Sequence, residues 1–226
     1  PNVSSLCNGP VLTISIEPDY EFNDRSGMST SSRKKAIELW HTNIPAGNKE
    51  QLAKTLFCFE NPPGTKYVSG SQDSLGITMP GLNRFLYTGD FWPSEISIIL
   101  DDDVLLWLEQ HIWLIPLFPR HSSYDVLENT NITKEYAAKL SEAAERCWMA
   151  ILAKDIDSMG KAMSDSFDAQ INMYPNMITP EITNLLESYK TKVKGWKMSG
   201  AGGGGYFVLL NDKPIENAIQ IRIRRG

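Results

Sequence analysis

The sequence has no apolar run long enough to cross a membrane, and it carries no excess of basic residues. Its apolar stretch at residues 112–118 is far shorter than the roughly 20 residues that a membrane span requires. The net charge of -5 argues against non-specific binding to nucleic acid, which needs a basic surface. We therefore expect neither a membrane nor a nucleic acid as partner.

Cysteine and histidine are equally scarce, with three of each in 226 residues. They lie singly, so they form neither a disulfide framework nor a metal-ligand pattern. Reduced thiols in a cytoplasmic protein are the simplest interpretation. With 42% hydrophobic residues, the chain has enough apolar material for one large domain or two small ones.

The first half of the sequence is rich in predicted strands and the second half in predicted helices. This segregation predicts an α+β protein of two layered lobes, divided near residues 100–110. We predict strands at 11–17, 75–78, 83–88, 95–100, 112–118, 206–210 and 219–223. We predict helices at 32–41, 49–59, 102–109, 122–129, 134–153 and 156–173, one starting at Thr179-Pro180, and a helical turn at 213–218.

A glycine run is the most informative local feature. Residues 199–206 read Ser-Gly-Ala-Gly-Gly-Gly-Gly-Tyr and run directly into an apolar strand pattern. Glycine buries no side chain, so its use here indicates positive φ angles, close approach of another chain, or N–H groups aimed at an anion. A flexible linker is the alternative, but linkers carry polar residues on both sides, whereas here a strand follows at once.

A serine-rich loop precedes the first predicted helix. Residues 26–32 read Ser-Gly-Met-Ser-Thr-Ser-Ser, and three basic residues, 33–35, follow. Hydroxyl and N–H groups at a helix start suit a phosphate and its metal. An ordinary serine-capped helix start explains the same pattern. The Gly-Lys-Ser/Thr ending of a Walker loop is absent.

Two further positions carry possible chemistry. Asp73, beside Gln72, lies in a small-residue turn that we place before a strand, and there it could accept a proton from a hydroxyl group. An Asx-type turn is the alternative. Arg120 follows the strand pattern ending at residue 118 and could hold a phosphate or carboxylate, although a solvated surface arginine fits equally well.

Together and in this order, these features resemble the GHMP kinase superfamily, in particular its branch of fucokinases and D-glycero-D-manno-heptose kinases. Residues 200–206 resemble the third motif of the superfamily, and 27–32 its phosphate loop, with Ser29 where glycine is usual. Residues 70–76 resemble the segment that bears the catalytic aspartate, with Ser74 where that branch usually has glutamine. Residues 1–7 and the segment beginning at Arg120 also resemble the branch.

The resemblance implies a two-lobed fold, with a ribosomal-protein-S5-like N-terminal lobe at 1–105 and a ferredoxin-like, helix-rich C-terminal lobe at 106–226. It implies transfer of the ATP γ-phosphoryl group, with Mg²⁺, to a sugar hydroxyl, most simply the anomeric one of a fucose-like or heptose-phosphate substrate. The expected partners are ATP and a small sugar, and the expected state is a monomer or homodimer. Asp73 would be catalytic. Phosphate contacts would come from Gly27, Ser29, Thr30, Ser31, Ser32, Gly202, Gly203 and Gly204; substrate contacts from Gly70, Gln72, Arg120 and Gly203; and metal contacts from Ser31 and Glu60.

Two other functions stay open at this point. One is a kinase of a non-sugar alcohol of the mevalonate or homoserine type, and the other is a degenerate relative that binds a nucleotide or sugar without phosphoryl transfer. The first motif of the superfamily would lie before residue 1, and the stretch between residue 16 and the serine loop is shorter than in relatives. We therefore expect the complete protein to contain an upstream segment and an internal segment that this sequence does not include.

Overall fold

Two antiparallel sheets and seven α-helices make up the computed structural model, which describes residues 8–16, 28–41, 44–120 and 124–226. The strands are β1 (Gly9–Ile14), β2 (Leu82–Tyr87), β3 (Glu95–Ile99), β4 (Ile112–Pro116), β5 (Gly195–Met198), β6 (Tyr206–Leu210) and β7 (Ile219–Gln220). The helices are α1 (Thr30–Trp40), α2 (Lys49–Glu60), α3 (Gln72–Thr78), α4 (Asp102–His111), α5 (Lys134–Leu152), α6 (Ile156–Met173) and α7 (Pro180–Lys190). The prediction of an α+β fold is confirmed.

The first sheet has the order β1-β2-β3 and packs against helices α2 and α3. Phe85 of β2 is fully buried and belongs to one apolar cluster with Ala53 of α2 and Leu75 of α3. Helix α5 also contacts β1. The first sheet therefore fixes α3 through the packing of Leu75.

The second sheet has the order β5-β6-β4-β7, and its alternating side chains enter two different clusters. Phe207 and Leu209 of β6 pack with Leu186 of α7. Leu210 enters the other cluster, which also contains Leu82 of the first sheet. The apolar core is therefore continuous between the two sheets, and the lobe division at residues 105 and 106 stays a prediction.

Capping side chains determine where five helices begin. Each accepts a hydrogen bond from the backbone N–H three residues further on, which satisfies one of the free donors of the first turn. These caps are Asn48, Asp101, Thr133, Asp155 and Thr179. The predicted cap at Asn48 and the predicted helix start at Pro180 are confirmed. No helix in the described ranges is both long enough and apolar enough to cross a membrane.

Several predicted elements differ from the structure. The predicted strand at 75–78 is wrong, because these residues form the end of α3 and the buried residues Ser74, Leu75, Ile77 and Thr78 follow a helical stripe. Such short apolar runs have no decisive period. Residues 124–129, within the predicted helix 122–129, are an irregular segment and turns, and 213–218 contain a turn in place of a helical segment. The four-residue strand β5 was not predicted, and the closing strand is shortened to β7.

Candidate active site

Asp73 is the second residue of α3, not part of a turn before a strand as the sequence predicted. Its Oδ1 accepts a hydrogen bond from Ser29 Oγ at 2.9 Å. Ser29 lies immediately before α1 in a left-handed conformation, with φ 54° and ψ 34°, and its side chain does not cap that helix. The serine loop and the aspartate segment are therefore in direct contact, as the predicted site requires.

The pKa of the Asp73 carboxyl group is subject to opposing effects. Burial raises the pKa of its carboxyl group, while the Ser29 hydrogen bond and the charge of Arg33 lower it. Burial lowers the pKa of Arg33, and the charge of Asp73 opposes this shift. The Arg33 side chain is fixed by a 3.0 Å hydrogen bond from its Nε to the Met28 carbonyl oxygen. A half-buried cation therefore faces a half-buried carboxylate at the start of α1.

Glu60, the last residue of α2, brings a second carboxylate to the same place. Burial is the largest effect on its pKa and raises it. A side-chain hydrogen bond with Ser32 lowers the pKa, and the like charge of Asp73 raises it further. Ser32 is buried, whereas Ser31, the predicted metal-side hydroxyl, is exposed. The hydroxyl that contacts Glu60 is thus the neighbour of the one predicted.

These oxygen donors are compatible with a shared magnesium ion. In the described part of the chain, no group of three or more His, Cys, Asp or Glu side chains is placed to hold a metal ion. Mg²⁺ commonly uses one or two carboxylates together with substrate phosphates, and it prefers oxygen ligands. Glu60 with a serine hydroxyl fits that pattern, and a divalent cation would relieve the repulsion between the two carboxylates.

The back of the Asp73 site is fixed by buried hydroxyl groups. Ser71 Oγ donates to the carbonyl oxygen of Phe91 at 2.5 Å and shares a 2.9 Å hydrogen bond with the Tyr87 hydroxyl. Ser74 Oγ donates to the Ser71 carbonyl oxygen at 2.9 Å. Ser74 stands where the fucokinase and heptose-kinase branch usually has glutamine. Its hydroxyl is used in this internal hydrogen bond at the start of α3. The neighbouring Gly70 and Gln72 are exposed and open to a ligand.

The glycine loop, residues 199–205, has positive φ angles at all five of its glycines. Its N–H groups are partly used inside the protein: that of Gly203 donates to the Met177 carbonyl oxygen at 2.8 Å, and that of Gly205 to the Phe118 carbonyl oxygen at 3.0 Å. A Cβ at Gly204 would lie 2.5 Å from the Phe118 carbonyl oxygen. Close packing therefore explains much of the glycine requirement, and phosphate contacts from Gly202, Gly203 and Gly204 stay a prediction.

Two side chains hold the glycine loop by its carbonyl groups. Arg120 Nε donates to the Gly202 carbonyl oxygen at 2.6 Å, and the Tyr124 hydroxyl donates to the Ala201 carbonyl oxygen at 2.5 Å. The Arg120 guanidinium lies 5.9 Å from the centre of the Tyr124 ring. Substrate binding by Arg120 stays a prediction, but its contact with the loop is structural.

The glycine loop also touches the serine loop. Ser199 Oγ lies 3.4 Å from the Met28 sulfur, and Met28 directly precedes the serine that contacts Asp73. The structure thus brings together all three segments that the sequence singled out. The predicted residue Gly27 lies outside the described residues, while Thr30, at the start of α1, is half-buried.

Comparison with known proteins gives a family for the C-terminal part. Residues 149–224 match the family described as GHMP kinases C terminal. This segment of the chain is therefore similar to the C-terminal domain of GHMP kinases. A bifunctional fucokinase/GDP-fucose pyrophosphorylase from Arabidopsis thaliana is 25% identical over 213 residues, which are 88% of this chain and 20% of that protein. The chain thus spans a fifth of the length of this curated relative.

Solved structures of kinases share the fold of nearly the whole chain. One is described as a sugar kinase from Campylobacter jejuni, with a TM-score of 0.58, 17% identity, and coverage of 90% of this chain and 62% of that one. Another is a D-glycero-D-manno-heptose 1-phosphate kinase from Bacteriodes thetaiotaomicron, with a TM-score of 0.54, 10% identity, and coverage of 98% and 89%. The resemblance inferred from the motifs is confirmed.

Two residues of this candidate site were not identified from the sequence. The sequence presents Arg33 only as one of three basic residues, whereas in the structure its charge acts on the Asp73 carboxyl group. Tyr124 lies in a stretch that was predicted to be helical, and nothing in its sequence context indicates contact with a loop more than 70 residues away. The spacing of charges in a single sequence does not reveal either contact, because both depend on how distant segments pack.

Proposed function

We propose that this protein is an ATP-dependent sugar kinase that transfers the γ-phosphoryl group to a sugar hydroxyl, with the anomeric hydroxyl of a fucose-like or heptose-phosphate substrate as acceptor. The observation that carries the proposal is the contact between Ser29 of the serine loop and Asp73. It supports the proposal because the proposed proton acceptor and the proposed phosphate site are then adjacent. The fucokinase and heptose-kinase relatives support a sugar as acceptor.

The start of α1 is suited to bind phosphate groups. The first-turn N–H groups of a helix carry partial positive charge and have no partner within the helix. Because the Ser29 side chain turns to Asp73, it does not occupy them. Arg33 adds a cation one turn into the helix. Phosphoryl transfer depends chiefly on positioning and charge neutralisation, and both are available here.

Asp73 would accept the proton of the attacking sugar hydroxyl or orient that hydroxyl. Burial raises the pKa of the Asp73 carboxyl group, which makes it a better proton acceptor than an exposed aspartate. Exposed Gly70 and Gln72 border it on the solvent side and would contact the sugar. Mg²⁺, when bound through Glu60 and the hydroxyl of Ser31 or its neighbour Ser32, would neutralise charge on the transferring phosphates.

Asp73→Asn tests the assignment of this carboxylate. The amide keeps the shape and the Ser29 contact but accepts no proton, so we expect kcat to fall by about 100-fold or more, the scale of general-base loss. The measurement is ADP release with ATP and a panel of L-fucose, heptose 7-phosphate, galactose and arabinose, followed by ³¹P NMR of the product. An unchanged kcat would exclude Asp73 from the chemistry.

A nucleotide- or sugar-binding relative without transfer activity is the second candidate. It is favoured by Ser29, which stands where relatives usually have glycine. The Ser29 hydroxyl donates to one oxygen of Asp73, so that oxygen is already hydrogen-bonded within the protein. The same panel separates the candidates when it is combined with calorimetric titration of ATP. If the protein binds ATP but releases no ADP in the presence of any sugar of the panel, the second candidate is supported and the first is contradicted.

A further inference from the structure

The position of Asp73 depends on what holds α3, because α3 has only seven residues. A helix this short is not stable by itself, so its place is set by tertiary contacts. Its N-terminal end is fixed by Ser71, as described above. Its C-terminal end is contacted by residues that lie almost 150 positions later in the sequence.

Residues 221–224, here called the C-terminal strap, leave β7 of the second sheet and return to the first half of the molecule. Ile223 forms a bridge with Ile16 and is almost fully buried. The N–H of Arg224 donates to the Ser15 carbonyl oxygen, and the N–H of Gly81 donates to the Arg224 carbonyl oxygen, both at 2.8 Å. The backbone of the strap is thus bonded on both sides of Arg224.

The Arg224 side chain then reaches the carbonyl end of α3. Its Nη2 donates to the carbonyl oxygens of Ile77 at 2.6 Å and of Met79 at 2.8 Å. Ser15 Oγ donates to the Gly76 carbonyl oxygen at 2.8 Å, so a second side chain supports the same turn. A cation at a helix C-terminus is favoured by the helix dipole and satisfies carbonyl groups that have no partner within the helix.

We propose that Arg224 is a positioning residue that holds α3, and through it Asp73, in register with the serine loop. The inference rests on the proposed kinase function. A seven-residue helix is about 10 Å long, so Arg224 acts on the far end of the helix and does not touch the reacting groups. The strap thereby connects the second sheet to the helix that carries Asp73.

The test compares Arg224→Met, which removes the donors, with Arg224→Lys, which keeps the charge. Arg222→Met is the matched control, because Arg222 is an exposed arginine on the same strap. We expect Arg224→Met to lower kcat by about 10- to 100-fold, the scale of a small misplacement of a reacting group. The KM values for ATP and sugar should stay within about two-fold, and Arg224→Lys should regain part of the lost kcat. Arg222→Met should behave as wild type.

Hydrogen exchange gives a readout that does not depend on activity. In Arg224→Met, amides of residues 72–79 should exchange at least about ten-fold faster, while those of β6 keep their wild-type rates. An unchanged kcat in the folded variant, an equal loss in Arg222→Met, or unchanged exchange at 72–79 would overturn the inference. If wild-type protein phosphorylates no sugar, the proposed function fails, and the exchange data still decide whether Arg224 holds α3.

Discussion

Gly203 offers a sharp test of whether the glycine loop is shaped by packing. Its φ of 68° is left-handed, and a Cβ there would overlap the Tyr124 ring, coming 2.5 Å from Cζ. A left-handed non-glycine residue costs about 1–2 kcal/mol. Moving the ring away would also break the hydrogen bond from Tyr124 to Ala201, worth about 0.5–1.5 kcal/mol. We therefore expect Gly203→Ala to lower the free energy of unfolding by about 3 kcal/mol.

Gly64→Ala is the matched control, because Gly64 also has a positive φ, of 90°, but no atom lies within 4 Å of its would-be Cβ. It should lose only the conformational part, about 1 kcal/mol. In a Tyr124→Ala background, the loss caused by Gly203→Ala should fall to about 1–2 kcal/mol, since no ring remains to be displaced. Urea unfolding of the four proteins of this cycle, with Gly64→Ala alongside, measures these values.

The result that would refute this reasoning is equally definite. If Gly203→Ala lowers the free energy of unfolding equally in both backgrounds, the ring does not oppose the side chain and the coupling is absent.

The bulkier Gly203→Val should abolish sugar phosphorylation. Most of the fold should stay intact, because the total stability of a domain is about 5–15 kcal/mol. Near-normal turnover in that variant would show that the loop tolerates a side chain and has no role in the site.

Two further predictions concern strand β5. Gly195→Ala should destabilise the protein by about 1–3 kcal/mol in urea unfolding, since its Cβ would lie 2.5 Å from the Gly160 backbone and force β5 away from α6; a loss under 0.5 kcal/mol would contradict this contact. Lys197→Met should raise the free energy of unfolding at pH 7. Burial lowers the pKa of Lys197, so its charged form is less favourable in the folded state than in the unfolded state. The folded pKa lies below the unfolded value, so wild-type stability should rise with pH between those two values, and this contribution should be absent in the variant. A destabilised Lys197→Met would mean that the ammonium group has a stabilising role.

The parts of the fold that the sequence predicted are those specified by local chemistry. The helix from Asn48 onward follows from a capping side chain, and the long helix at 156–173 follows from its apolar period. Residues 75–78 were misassigned because the two apolar residues Leu75 and Ile77 fit either period, and the contact of Ser15 with the Gly76 carbonyl oxygen is tertiary. The four-residue strand β5 was missed because Gly160 of α6 lies against it, which no local pattern shows.

The candidate site was predictable as a set of segments but not as a set of contacts. The sequence singled out Asp73, the serine loop and the glycine loop, and the structure joins them through Ser29 and Ser199. The order and the residue types of these segments carried that prediction. The supporting residues Tyr124 and Arg224 act on backbone carbonyl groups far away in the sequence. Such contacts leave no motif, because almost any donor of the right reach would serve.

Ser29 ties the backbone of the serine loop to the chemistry of Asp73, and two substitutions separate these effects. Ser29→Ala removes the hydrogen bond to a charged group, worth about 1.5–3 kcal/mol, and keeps the left-handed strain. Ser29→Gly removes the same bond but relieves strain of about 1–2 kcal/mol, so it should be the more stable variant by about 1 kcal/mol. Urea unfolding measures the difference.

The pH profile of kcat/KM should change in the same direction in both Ser29 variants. The Ser29 hydrogen bond lowers the pKa of Asp73, so its loss should raise that pKa. Because the ionised carboxylate is the active form, the acidic limb of the profile should move to higher pH in Ser29→Ala and Ser29→Gly alike. A limb that moves in only one variant would assign the effect to backbone strain, and a limb that stays in place in both would separate the Ser29 contact from the ionisation that controls catalysis.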